Sequence, residues 1–102
     1  MTSPGNGRPN AFQVRMSEHT REVLKQRQRE ASEAGVGDQF LAALRLIWER
    51  LRFDPVTFGE PQFRLPALNL LVCQAVVAPL VVDYGVHEER RLVFIRGFKI
   101  LS

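Results

Sequence analysis

A chain of 102 residues has room for one domain with one core, and not for a second domain. Its 45% hydrophobic and 25% charged residues are ordinary for a globular protein and exclude wholesale disorder. A net charge of +3 favours an acidic partner, nucleic acid or an acidic protein segment, although so small a bias is also common among proteins that bind neither. Cys73 is the one cysteine, which excludes an internal disulfide; Leu71, Val72 and Ala75 beside it predict a buried thiol, as suits a reducing cytosol.

In chain order, Met1 to Asn10 is a Thr, Ser, Gly, Asn and Pro run with too little apolar surface to offset its ordering entropy, so residues 1–10 are expected to form a disordered tail. No secretory signal is expected, because this stretch has no apolar core. Ala11 to Met16 alternates, with Phe12, Val14 and Met16 on one side, and predicts a short strand. Ser17 is placed to cap a helix whose first turn holds Glu18. Leu24, Arg27, Ala31 and Ala34 give that helix a thin apolar stripe, and Gly35 ends it. Asp38 is the expected cap of a second helix, which carries Phe40, Leu44, Ile47 and Leu51 and stops near Phe53 because Pro55 follows. Two helices joined so tightly predict an antiparallel hairpin.

Asp54 to Pro66, with three prolines and Gly59, reads as a loop pinned by Phe58 and Phe63. Leu68–Val77, Leu80–Val86 and Arg91–Leu101 then read as three strands of an antiparallel meander. The apolar stretch Leu65 to Val82 is broken by Pro66, Asn69, Gln74 and Pro79, which argues against a membrane span. The expected fold class is α+β: a short N-terminal strand, an antiparallel helical hairpin and a three-stranded antiparallel meander, forming one domain over 11–102. Phe12, Val14, Leu24, Phe40, Leu44, Ile47, Leu51, Val82, Tyr84 and Phe94 are the expected core.

Few residues suggest chemistry. His19 and His87 are far apart and no CxxC or HExxH spacing occurs, so no metal and no small-molecule cofactor is expected. Glu88 and Glu89 are adjacent in a turn, where two carboxylates rarely face one substrate, and Arg90 and Arg91 suggest local charge compensation. Arg64, Arg96 and Lys99 stand out, because Arg96 falls inside an apolar strand where an uncompensated charge is costly. Two readings stay open: an ion pair across strands with an acid such as Asp83, or a basic patch for phosphate or an acidic partner helix.

Three passages carry a resemblance. Phe12-Gln-Val-Arg-Met-Ser-Glu, the helix from Phe40-Leu-Ala-Ala-Leu to Asp54-Pro55, and above all Val81-Val-Asp-Tyr-Gly-Val-His-Glu-Glu-Arg-Arg-Leu-Val-Phe-Ile-Arg resemble the RelE/ParE toxin superfamily of type II toxin–antitoxin systems. The resemblance covers about Ala11 to Leu101 and makes Tyr84 and Asp83 candidate structural residues of the third strand. In members that cut messenger RNA on the ribosome, an Arg typically lies three residues before the Tyr matched by Tyr84, which puts Val81 at that position; basic residues also precede it where this chain has Leu70, Leu71, Val72 and Val76. Without such groups, neither positioning of the ribose hydroxyl nor stabilisation of the phosphate is accounted for. The resemblance therefore implies a toxin-like, bacterial, cytoplasmic protein that acts by binding in the manner of ParE toxins, or has lost toxicity. The alternative is a ribosome-dependent mRNA endoribonuclease of RelE type with a rebuilt basic site. The implied partner is a small acidic antitoxin from a neighbouring gene, contacted through Arg64, Arg96 and Lys99, with gyrase or the ribosome as cellular target and no membrane.

Overall fold

A computed structural model describes residues 11–101, so the expectation of a disordered tail over 1–10 lies outside the described residues. The order is β1 (Gln13–Met16), α1 (Glu18–Glu33), α2 (Gly37–Phe53), α3 (Pro55–Phe58), β2 (Glu60–Leu65), β3 (Leu70–Val77), β4 (Leu80–His87) and β5 (Leu92–Ile100), with a 3-10 turn at Pro66–Leu68. The chain is α+β, with a helical region and one five-stranded mixed sheet in the order β1-β5-β4-β3-β2. β1 runs parallel to β5, and every other pair is antiparallel.

The helices start and stop for local reasons. Ser17 is extended and its Oγ accepts from the Thr20 amide at 3.1 Å, closing an otherwise open amide of α1. Gly35, at φ +80, takes the left-handed turn that ends α1 and that a side chain would disfavour. Asp38 is not the cap of α2: the helix begins at Gly37 after Val36, whose side chain caps nothing, and Asp38 lies within the first turn. There its carboxylate still meets the positive end of the helix dipole. Pro55 ends α2 and opens α3, since its missing amide costs nothing at a first helical position.

The stretch read as a loop between Asp54 and Pro66 is a correction, because it holds α3 and a whole strand. β2 tolerates Pro61 because it is an edge strand, and its register with β3 shifts between Pro61 and Phe63. The sheet thus has five strands where the chain pattern predicted a first strand and a three-stranded meander.

Both helices cover one face of the sheet. Phe40, Ile47 and Leu51 from α2 and Ala31 from α1 meet Leu71, Cys73, Ala75, Leu80, Val82, Tyr84, Val86, Val93, Ile95 and Phe98. Each large side chain so buried contributes about 1.5–3 kcal/mol. Phe12, Val14, Leu24 and Leu44 are only partly buried at the margin of this core. Phe94 is not part of it: opposite Gly85 in register, between the inward Val93 and Ile95, it points to the other face. The start of β1 is tied to the end of α2 by the Phe12 amide, which donates to the Arg52 carbonyl at 2.7 Å. No helix among the described residues is long and apolar enough to cross a membrane.

Candidate functional site

Neither helix lies on the second face of the sheet. Register places Leu70, Val72, Gln74 and Val76 of β3, Val81, Asp83, Gly85 and His87 of β4, and Leu92, Phe94 and Lys99 of β5 on this open side, with Phe63 of β2 opposite Val72. An antiparallel sheet with one wet face normally alternates apolar and polar residues. β3 does not: LLVCQAVV is apolar at every position but Gln74. Phe63 is 50% exposed, Val76 57% and Leu68, in the turn before β3, 60%. Val72 and Val81 are buried yet lie outside the helix-side core.

The residues singled out in the sequence fall in different places. Tyr84 is fully buried on the helix side, where its Oη donates to the Pro55 carbonyl at 2.7 Å and accepts from the Gly59 amide. Burial pushes its ionisation far above the ordinary phenol value, with the neighbouring Cys73 adding to the shift. Cys73, opposite Tyr84 in register, is a fully buried thiol whose ionisation burial also raises, which leaves it a poor nucleophile. Gly59 is required here by contact, since a Cβ on it would stand 2.5 Å from Tyr84 Oη and 2.9 Å from the Gln74 carbonyl.

Asp83 does not pair with Arg96. Its Oδ1 accepts from Gln74 Nε2 at 2.9 Å across the open face, and the ion pairs among the described residues are Lys25–Glu22, Arg27–Glu30 and Arg50–Asp54. Arg96 avoids the cost of an interior charge in another way. The register of β4 with β5 shifts between Asp83 and Tyr84, so that Gly97 faces Asp83, Ile95 faces Tyr84, and Arg96 is the inserted residue. It is exposed while Ile95 and Phe98 on either side are buried against the helices, so it projects from the uncovered side. Lys99, opposite Val81, shares that side.

Arg64 does not join them. It faces Leu71 in register, hence the helix side, on an edge strand separated from β5 by β3 and β4, about 14 Å across the sheet at ordinary strand spacing. The three cations are therefore one pair and one separate charge. Nor do the turn charges compensate as the sequence suggested: Glu89 accepts from Asn69 at 3.1 Å, and the Arg91 guanidinium lies over the Phe12 ring, 5.5 Å from its centroid.

Two concavities flank this arrangement. One, of about 500 Å³, runs beside β1 and is lined by Phe12, Val14, Trp48 and Arg52 among others. The second, of about 290 Å³, lies on the open face between the start of β3 and the β4–β5 turn, and sequence reading missed it. The signal for it was the apolar run of β3, broken only by Gln74, which does not fit a sheet with one solvated face. No three of the described His, Cys, Asp and Glu residues are grouped so as to hold a metal ion. No family model matches the chain, and no curated protein matches it.

Proposed function

We propose that this chain is the toxin-like component of a type II toxin–antitoxin pair, a cytoplasmic relative in fold of the RelE/ParE toxins, acting by binding or having lost its toxicity. The observation that carries the proposal is the open sheet face, apolar in β3 almost without interruption, with Arg96 and Lys99 projecting from it and paired with no acid among the described residues. Exposed apolar side chains such as Phe63 and Val76, on a face that also carries cations, mark a partner site. The excess of positive charge favours an acidic partner, whose arrival it steers while apolar anchors supply the affinity.

The strand, helical hairpin and following antiparallel strands support the toxin-like reading over a nucleic-acid reader. A phosphate-tracking surface needs a row of cations, and here the cations stand apart while Val81, at the position where the messenger-cutting toxins carry Arg, is covered. The test is co-expression with the adjacent reading frame, followed by purification on a tag carried by this chain. A stoichiometric complex with a small acidic protein is the expected result; growth arrest by this chain alone, relieved by the neighbour, identifies a working toxin, and relief of nothing identifies a non-toxic relative. Recovery of the chain alone in every case refutes the proposal.

A further inference from the structure

We draw no further inference here: the strongest candidate, the groove of about 500 Å³ along the sheet edge at β1, where Trp48 and Arg52 of α2 flank Phe12, Gln13 and Val14, carries nothing because nothing in the structure shows what covers it.

Discussion

Replacing Tyr84 by Phe removes one oxygen atom from the middle of the core, and the surroundings of that oxygen set the cost. The hydroxyl donates to the Pro55 carbonyl at 2.7 Å and accepts from the Gly59 amide, so it stands between the two groups that would otherwise make the next hydrogen bond of α3. The preceding bond of that helix, from the Phe58 amide to the Asp54 carbonyl, is already formed at 3.1 Å. A buried hydrogen bond contributes about 1 kcal/mol net, and each backbone group left without a partner adds about 1–3 kcal/mol. Because Pro55 is buried, its carbonyl has no ready access to water, and a loss of about 2–3 kcal/mol is expected. For a domain of this size that lowers the thermal midpoint by roughly 10–20 °C. Thermal and urea unfolding followed by circular dichroism measure it. A loss below about 0.5 kcal/mol would show that Pro55 and Gly59 simply close on each other, and the bridging role assigned to the hydroxyl would be wrong.

Three further outcomes follow from the same geometry. Gly59→Ala should destabilise more than its loss of backbone freedom explains, since the new Cβ meets Tyr84 Oη at 2.5 Å and the backbone carbonyl of Gln74 at 2.9 Å; urea midpoints would show it. Burial raises the ionisation of both Tyr84 and Cys73 above their ordinary values of 10.0 and 9.0, so at alkaline pH the unfolded chain releases protons that the folded chain keeps. Stability should therefore hold below pH 9 and fall as pH rises through and above these values, less steeply in Tyr84→Phe, as unfolding free energies across that range would record. Primer extension on translated messages should reveal no cleavage, because covered Val81 supplies no charge for the phosphate; cleavage abolished by Arg96→Ala would show a rebuilt basic site.

Much of the helical half was legible in the sequence because its signals are local. Ser17 and Gly35 announce the ends of α1, and the spacing of Phe40, Ile47 and Leu51 defines the buried side of α2. The sheet was less legible for two physical reasons. An edge strand tolerates the proline and irregular register that make β2 look like a loop, as at Pro61. A bulge changes which side every later residue faces, and nothing in the pattern around Arg96 marks it as the inserted residue. Phe94, which precedes the bulge, was placed in the expected core for a different reason: the apolar run Leu92–Ile95 does not reveal its inward side. The pairing of Asp83 with Gln74 in place of Arg96 follows from that insertion, which sets Gly97 opposite the carboxylate.

An acidic partner on the open face, as proposed, would meet Arg96 and Lys99 on the same side. The most direct measurement is the affinity of this chain for the product of the adjacent reading frame, as a function of salt, for the wild type and for Arg96→Glu/Lys99→Glu. Both residues are exposed and without partners among the described residues, so the double variant should keep the wild-type thermal midpoint. The expected result is a complex that weakens with salt, and a double variant that binds about tenfold or more weakly with a shallower salt dependence. Equal affinity for both proteins at every salt concentration, or no complex with the wild type, would contradict it.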